Sequence, residues 1–373
     1  MNYGPIPRTP GKPKILVASL DWGLGHTTRC IPVIYELLGQ EAEVWLAGEG
    51  AQEALLKMEF PGLSFLYLRG YRMRYGNSRS GLLRTILSQV PGMLSAIKNE
   101  HAWLQNAVAE HHFDAVISDN RFGLYHAAIP CIFITHQLRI KSPFGKWSEN
   151  LLQKRNYHYI NRFSECWIPD EEGEKNLAGE LSHPLKKPGL PVHYIGVLSR
   201  MKKKQSCEQS GRLFISLSGP EPQRTIFENI IIRDIVHYPG RATVVRGLPN
   251  EANPIPSTND IHFFNHLPSE ELNNEMEKAE FVIARSGYST VMDIAALGKK
   301  SILVPTPGQP EQEYLAKYLA QKRFAVCVNQ EQFSLSKALQ QATHFEFQIN
   351  DYPINFNLSS IIQSFISKLH SDK

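Results

Sequence analysis

Short apolar runs alternate with amphipathic stretches along the first half of the chain. The first run, residues 14–20, is followed by a glycine-containing loop and by a helical pattern over residues 26–38. Further apolar runs lie at residues 43–47, 63–68, 115–118, 131–135 and 166–168. Strands that alternate with helices and are apolar on both faces are typical of a parallel sheet covered on both sides. The pattern therefore predicts a doubly wound α/β domain over residues 1–200.

The same alternation restarts after a stretch rich in Pro, Gly, Lys and Ser. We place the interdomain linker at residues 199–211, which include a basic run at residues 202–204. Apolar runs then predict strands at residues 213–217, 242–246, 261–264, 281–284 and 301–304. We expect a second doubly wound domain over residues 211–350 and a C-terminal helix within residues 351–373 that packs back on the first domain.

Composition and charge narrow the class of protein. Of the 373 residues, 42% are hydrophobic and 20% are charged, which is typical of globular proteins. The net charge of +4 comes from charges of both signs spread along the chain, so we expect no nucleic-acid partner. The five cysteines form no metal-ligand pattern, and their odd number favours a reducing compartment over a disulfide framework.

Two segments bear on the cellular location. Residues 1–12 lack the apolar core of a signal peptide, so we expect a cytoplasmic protein. The least polar stretch, residues 85–97, is interrupted by Pro91 and Gly92 and is shorter than the roughly 20 residues of a membrane-spanning helix. It is interpreted as a buried helix or, alternatively, as a peripheral contact with the inner face of the membrane.

The strongest chemical signal lies where the predicted strand at residues 281–284 meets the next helix. Residues 285–290 read RSGYST, so small and hydroxylated residues open a helix. Backbone N–H groups and hydroxyls at a helix N-terminus suit an anion such as a diphosphate. Asp293 lies one turn further along, where a carboxylate can accept both hydroxyls of a ribose. The structural alternative is that Ser289 only caps the helix.

This region resembles the C-terminal domain of glycosyltransferase family 28, the family of the MurG-like enzymes. That domain carries an R-x-G-x-x-T turn after a strand, an acidic residue on the next helix, an L-G-x-P-x-I-x-V-P strand and a Gln-rich loop. The matching residues here are Arg285, Gly287, Thr290, Asp293, residues 297–305 and Gln312. The chain departs from the pattern at Asp293, where the family commonly has Glu, and at Lys300, where it has Pro.

The resemblance implies a GT-B fold, in which two Rossmann-like doubly wound parallel-sheet domains face each other across a cleft. It also implies a transferase without a cofactor that takes a sugar, with inversion, from a nucleotide diphosphate-sugar such as UDP-N-acetylglucosamine or a UDP-hexose. No Asp-x-Asp pair is present, in keeping with a reaction without a metal. The expected donor-binding residues are Ser218, Gly219, His266, Arg285, Ser286, Gly287, Tyr288, Ser289, Thr290, Asp293, Gln312 and Glu313.

A second motif follows the first predicted strand. Gly23, Gly25 and His26 resemble the G-x-G-H first loop of the MurG-like enzymes. Glycines let a ligand approach the backbone, and an imidazole can take a proton from an acceptor hydroxyl near neutral pH. We interpret His26 as the base or as an acceptor contact, and Asp119 as the residue that orients it or as the alternative base. The expected acceptor-binding residues are Gly23, Gly25, Asn120, Arg121, His136 and Gln137.

The acceptor itself is left open as a small molecule, a glycan or a lipid-linked compound. Residues 69–84 contain five arginines. They are interpreted either as a solvated loop or as a binding site for an anionic acceptor such as a lipid phosphate. Two other functions share the donor site, namely a nucleotide-sugar 2-epimerase and a non-catalytic nucleotide-sugar-binding protein. A Rossmann oxidoreductase is disfavoured because the G-x-G-x-x-G pattern is not met.

Overall fold

The structure is a computed structural model, and it describes residues 11–72, 79–204, 208–248, 251–349 and 351–371, with backbone only at residues 79–90. Most of the arginine-rich stretch at residues 69–84 and nearly all of residues 1–12 lie outside the fully described part of the chain. Two separate parallel sheets account for the strands of the described residues.

Among the described residues, the first sheet has seven strands and is accompanied by four α-helices. The strands are β1 (Lys14–Ser19), β2 (Glu43–Gly48), β3 (Ser64–Tyr67), β4 (Ala115–Asp119), β5 (Cys131–Ile134), β6 (Glu165–Ile168) and β7 (Val192–Tyr194). The helices are α1 (Leu24–Gly39), α2 (Ala51–Glu59), α3 (Arg79–His111) and α4 (Lys146–Ile160). The strand order is β3-β2-β1-β4-β5-β6-β7, and every pair is parallel.

The second sheet repeats this arrangement with six strands. The strands are β8 (Gln209–Ser216), β9 (Arg241–Val245), β10 (Ile261–Phe264), β11 (Ala279–Ala284), β12 (Lys300–Leu303) and β13 (Val326–Cys327). The helices are α5 (Gln223–Ile235), α6 (Ser269–Lys278), α7 (Tyr288–Leu297), α8 (Pro310–Gln321), α9 (Leu335–Thr343) and α10 (Phe356–Ser371). The strand order is β10-β9-β8-β11-β12-β13, again all parallel. The predicted pair of doubly wound parallel sheets is confirmed.

Burial explains why the central strands were visible in the sequence. Every residue of β1 and of β4 is buried, as expected for strands that have helices on both faces. One apolar cluster continues between the domains, from Ile31 and Ile34 of α1 to Val291 and Ile294 of α7. The two halves therefore share packed apolar surface as well as a polar cleft.

The last helix, α10, lies on the first domain rather than the second. Gln40 at the end of α1 donates a hydrogen bond to the carbonyl of Ser359 at 2.9 Å. Phe365 packs edge-on against Trp167 of β6, and Lys368 pairs with Glu165 at 2.8 Å. The chain thus crosses from the first domain to the second and returns at its end.

Candidate functional site

The two sheets meet at their carboxyl edges, where α1 and α7 begin. The Ser289 hydroxyl of α7 donates a hydrogen bond to the Gly25 carbonyl of α1 at 2.8 Å. A Cβ atom at Gly25 would lie only 3.1 Å from Ser289 Oγ, so this approach requires a residue without a side chain. The predicted residues of the two domains therefore face each other across a narrow cleft.

A carboxylate is buried on the first-domain side of the cleft. Asp119, the last residue of β4, is 1% exposed and accepts hydrogen bonds from Arg29 Nε and, at 2.5 Å, from Arg29 Nη2. His26 Nδ1 lies 2.7 Å from Asp119 Oδ1 and 2.8 Å from Arg29 Nη2. The carboxylate can only accept a hydrogen bond and the guanidinium can only donate one. The contact with Asp119 favours the tautomer with the proton on Nδ1, in which Arg29 Nη2 donates to Asp119 and is only a close neighbour of Nδ1. The Nε2 atom of His26 is then the basic atom of the neutral imidazole.

Arg29 and His26 decide the protonation state of Asp119. Burial alone would raise the pKa of this carboxyl, but the charges and hydrogen bonds of Arg29 and His26 outweigh it and lower the pKa to about 2. Asp119 is therefore ionised near neutral pH and is a weak base there. Its environment suits the orientation of His26 better than proton transfer.

A second imidazole connects this network to the other domain. His136 follows β5 and stacks on the ring of Tyr288, with ring centroids 4.3 Å apart. Its Nδ1 lies 3.1 Å from Arg29 Nη1, and its Nε2 lies 2.9 Å from Glu311 Oε1. Gln137 donates a hydrogen bond to the other oxygen of Glu311. The predicted acceptor-binding residues His136 and Gln137 thus contact the second domain.

Three predicted donor-binding side chains are instead used for packing. Arg285 is 1% exposed and donates hydrogen bonds to backbone carbonyls of its own domain. Ser286 donates to the carbonyl of Gln312 at 2.8 Å, and Tyr288 donates to the carbonyl of Pro169 at 2.8 Å. Each of these side chains satisfies a buried internal partner. They hold the loop in shape.

The N-terminus of α7 has no side-chain cap among the described residues. Gly287 occupies the N-cap position, and the Ser289 hydroxyl bonds to Gly25 rather than to its own helix. The capping role considered for Ser289 is therefore wrong. The first N–H groups of a helix have no partner within the helix, and they lie here beside half-buried Thr290 at the cleft.

The interdomain linker lies against Asp293. Ser199 Oγ donates a hydrogen bond to Asp293 Oδ1 at 2.6 Å. Burial raises the pKa of Asp293, although the charge of Arg200 and the Ser199 hydrogen bond oppose the shift. Burial and the charge of Arg200 together lower the pKa of His266 on the loop after β10. Arg200 thus lies near two of the predicted donor-binding residues.

The loops after β8 and β12 complete the second-domain side. Gln312 Oε1 accepts the N–H of Thr306 at 3.0 Å, and Glu313 Oε1 accepts another N–H of that loop at 3.1 Å. Ser218 is half-buried, and Gly219 has φ 106°, a conformation that favours glycine. The side chains of Gln312 and Glu313 therefore shape the loop that borders the cleft.

The two predicted acceptor-binding residues after β4 differ from each other. Arg121 is fully buried and donates hydrogen bonds to Glu100 Oε1 at 2.6 Å and to the carbonyl of Arg69 at 2.5 Å. Arg121 therefore supports the loops, because a buried guanidinium needs its carboxylate partner. Asn120, at φ 55°, is half-buried next to Asp119.

An open cavity of about 370 Å³ lies beside Gly23 in the first domain. Its lining includes Asp21, Glu49 and Arg72. Arg72 pairs with Glu49 at 2.6 Å, and its N–H and that of Tyr71 are bound by the Asp21 carboxylate. Chiefly because of the Arg72 hydrogen bond, the pKa of Glu49 is lowered to about 2. This cavity adjoins the predicted G-x-G-H loop.

The described residues contain neither a cluster suited to a metal ion nor a helix suited to span a membrane. No group of three or more His, Cys, Asp and Glu side chains in that part of the chain is arranged to hold a metal ion. No helix within the same residues combines the length and the hydropathy needed to span a membrane.

Comparison with known proteins shows the family of the chain. Residues 251–361 match the family model described as glycosyltransferase family 28 C-terminal domain. The UDP-N-acetylglucosamine-N-acetylmuramyl-(pentapeptide) pyrophosphoryl-undecaprenol N-acetylglucosamine transferase of Glaesserella parasuis serovar 5 is 41% identical over 337 residues, which cover 88% of this chain and 89% of that protein. The chain belongs to glycosyltransferase family 28. With the enzyme of the same name from Rhodopseudomonas palustris BisB18, identity is 37% over 81 residues, 21% of this chain and 20% of that protein.

Experimental structures show the fold of this family 28 chain at low identity. The glycosyltransferase of kitacinnamycin superposes with a TM-score of 0.62 at 12% identity, covering 97% of this chain and 94% of that one. A spinosyn rhamnosyltransferase in complex with thymidine diphosphate gives 0.59 at 15% identity, with 95% of both chains covered. The GT-B fold implied by the resemblance is confirmed.

Several residues of the family 28 chain enter the site without having been predicted. Arg29, one turn after His26 in α1, bonds to Asp119. Arg200 lies in the linker, and its Nε is buried without a partner among the residues that are described. Glu311 reaches the first domain from the start of α8. Sequence patterns gave no signal for Arg200, whereas Glu311 lies directly before the predicted Gln312 in the polar loop.

Proposed function

We propose that this chain transfers a sugar from a nucleotide diphosphate-sugar to a hydroxyl group of an acceptor. The observation that carries the proposal is the hydrogen bond between Ser289 and Gly25 at 2.8 Å. It brings the uncapped N-terminus of α7 directly against the helix that holds His26 and Arg29. A helix N-terminus stabilises negative charge, and an imidazole accepts a proton, so the two halves supply complementary parts of one reaction.

The second domain is the proposed donor site. The N–H groups at the start of α7 and the Thr290 hydroxyl would bind the diphosphate, and Asp293 would bind the ribose. Ser199 now bonds to Asp293 and would share that carboxylate with the ribose hydroxyls. Ser218, Gly219, His266 and Arg200 would contact the nucleotide, while Gln312 and Glu313 border the sugar. The name of the Glaesserella relative contains UDP-N-acetylglucosamine, which makes UDP-sugars the first donors to test.

The first domain is proposed to activate the acceptor. His26 Nε2 takes the proton of the acceptor hydroxyl while its Nδ1–H remains bonded to Asp119. The acceptor oxygen attacks the anomeric carbon, and the bond from that carbon to the diphosphate oxygen breaks, with inversion. Charge that develops on the departing diphosphate is stabilised by the N-terminus of α7 without a metal ion. With a pKa of about 2, Asp119 is a poor alternative base.

The acceptor is proposed to enter through the open cavity beside Gly23. Arg72 lines this cavity together with Glu49, to which it is paired, and Asp21. Because the name of the Glaesserella relative contains pyrophosphoryl-undecaprenol, a lipid-linked diphosphate at the inner face of the membrane is the first acceptor class to test. Free glycans and small molecules are the next classes. A cytoplasmic location is part of this proposal.

Release of free nucleotide diphosphate tests the proposal. Purified protein is incubated with a series of UDP-sugars, with and without each acceptor class, and UDP is measured by a coupled assay. We expect UDP to appear at a rate that depends on the acceptor. Consumption of the donor to a C2 epimer without any acceptor would instead support a nucleotide-sugar 2-epimerase. Tight donor binding without turnover on any acceptor would support a non-catalytic binding protein.

A further inference from the structure

One carboxylate of the second domain is bound entirely to side chains of the first. Glu311, the second residue of α8, accepts hydrogen bonds from His136 Nε2 at 2.9 Å and from Gln137 Nε2. Both of these residues lie on the loop that follows β5. Glu311 therefore joins two elements that come together only when the domains are in contact.

The bond to Glu311 selects one tautomer of His136. A carboxylate accepts a proton from Nε2, which leaves the lone pair on Nδ1. Arg29 Nη1 lies 3.1 Å from Nδ1 and donates to that lone pair. Burial lowers the pKa of His136 despite the opposing effect of Glu311, so the ring is neutral and must choose one tautomer. In the other tautomer two N–H groups, from His136 and Arg29, would face each other.

The same guanidinium fixes the carboxylate that orients His26. Arg29 Nε and Nη2 both donate to Asp119, and Asp119 accepts the Nδ1–H of His26 at 2.7 Å. Arg29 and Asp119 are 3% and 1% exposed, so water has little access to replace these bonds. An unbroken line of hydrogen bonds thus runs from Glu311 through His136, Arg29 and Asp119 to His26.

We propose that Glu311 is a positioning residue that orients the His26–Asp119 pair through His136 and Arg29, so that the pair is fully ordered only while α8 contacts the first domain. The kinetic part of this inference rests on the proposed function. The structural part does not, because the tautomer of His136 can be measured without turnover.

The first experiment measures the ring nitrogens of His136 by NMR in protein labelled with ¹⁵N-histidine. A His136→Asn variant assigns the signals. We expect the Nε2–H tautomer in the wild type. In Glu311→Ala, Arg29 still donates to Nδ1, so we expect this tautomer to persist while Nε2–H loses its carboxylate partner, shifts its signal and exchanges faster with water. Glu311→Gln should keep the protected Nε2–H, because its amide oxygen can accept the same bond. Unchanged His136 signals in Glu311→Ala would overturn the proposal. The control is Glu346→Ala, which removes an exposed carboxylate paired with Arg323 at the surface.

The second experiment measures steady-state kinetics with donor and acceptor. Misplacement of the catalytic pair predicts a kcat of Glu311→Ala that is about 10 to 100 times lower, with the KM for the donor nearly unchanged. The double variant with His136→Ala should be no slower than His136→Ala alone, since both changes break the same line. Glu311→Gln should recover most of the activity.

Other kinetic results would contradict the inference in distinct ways. A raised donor KM with normal kcat in Glu311→Ala would make Glu311 a contact for the donor sugar. Additive losses in the double variant would show that Glu311 and His136 act independently. If the wild type released no UDP with any donor and acceptor, the proposed function would fail, while the NMR result would still decide the positioning role.

Discussion

The two sheets end very differently where they meet. The carboxyl edge of the first sheet carries paired charges, with Asp119 held between Arg29 and His26. The carboxyl edge of the second sheet presents hydroxyls, glycine and an uncapped helix N-terminus, and its buried Arg285 is turned to backbone carbonyls. The first edge holds an ionised carboxylate between two side chains, and the second offers the partial positive charge of a helix N-terminus.

This difference follows from what each edge has to stabilise. A buried charge is tolerated only with a partner, so at the first edge Asp119, Arg29 and His26 form one hydrogen-bonded network. Backbone N–H groups at a helix N-terminus attract an anion without a charged side chain. Proton transfer is therefore assigned to the first domain and anion binding to the second, and substitutions on the two sides should have different signatures.

The largest effect is expected from Asp119→Asn. This change leaves Arg29 buried without its carboxylate, and removal of one partner from a buried ion pair costs about 3–5 kcal/mol of unfolding free energy. Urea titration measures the loss. The matched control is Glu53→Gln, which breaks the exposed pair with Lys57 and should cost about 0.3–0.5 kcal/mol.

The pH dependence of the Asp119→Asn difference sharpens this test. The pKa of Asp119 is lowered to about 2 in the folded protein, below the value of about 3.9 for an unfolded aspartate. Its stabilising contribution is then complete above about pH 4 and is lost as the pH falls towards 2. The gap between wild type and variant should narrow over that window. A gap that stays constant down to pH 2 would refute the ionised, partnered state of Asp119.

The second-largest effect is expected for turnover in His26→Ala. Loss of a general base predicts a fall in kcat of about 100-fold or more. The donor KM should stay near wild type, because the donor is proposed to bind to the other domain. The ascending limb of the pH–rate profile should disappear. A near-normal kcat would break the division of roles between the two edges.

Much of the fold could be predicted because its strands are buried on both faces. Residues 15–18 of β1, 115–117 of β4 and 281–284 of β11 form short continuous apolar runs, which are typical of buried strands. Helix α4 gives the opposite case, since Trp147 is 77% exposed and Glu149 is buried. Because α4 has polar and apolar residues on both its buried and its exposed sides, its sequence shows no clear apolar stripe.

The site could be predicted only as far as strand order allows. His26, Asp119 and His136 follow β1, β4 and β5, which are neighbours in the sheet, so their convergence follows from parallel pairing. The direction of a side chain is not set by that rule. Arg121 and Arg285 lie on the right loops, yet both turn inward to satisfy buried partners. Such choices depend on distant residues that no local pattern contains.

A smaller effect is expected from substitutions in the donor loop. Thr290→Ala and Asp293→Ala should each weaken UDP binding by about 5- to 10-fold, the effect of losing one hydrogen bond of about 1–1.4 kcal/mol. Isothermal titration with UDP measures the affinity, and UDP should also raise the melting temperature of the wild type. Controls in the same domain are Thr343→Ala and Asp260→Ala, both exposed and remote from α7. If both variants bound UDP as tightly as the wild type, the proposal that the second edge binds the diphosphate would be wrong.

The smallest expected effect is that of chelation, for which we predict no change in rate. The leaving diphosphate would be stabilised by the N-terminus of α7 and by Thr290, and these groups are part of the fold rather than an exchangeable ion. Activity should therefore be equal after dialysis against EDTA and after addition of Mg²⁺ or Mn²⁺. A matched assay with a magnesium-dependent transferase confirms that the chelator was effective. If activity were lost in EDTA and restored by Mg²⁺, the helix N-terminus of the second edge would not stabilise the leaving diphosphate by itself. The difference between the two edges would then no longer explain why anion binding is proposed for the second domain and proton transfer for the first.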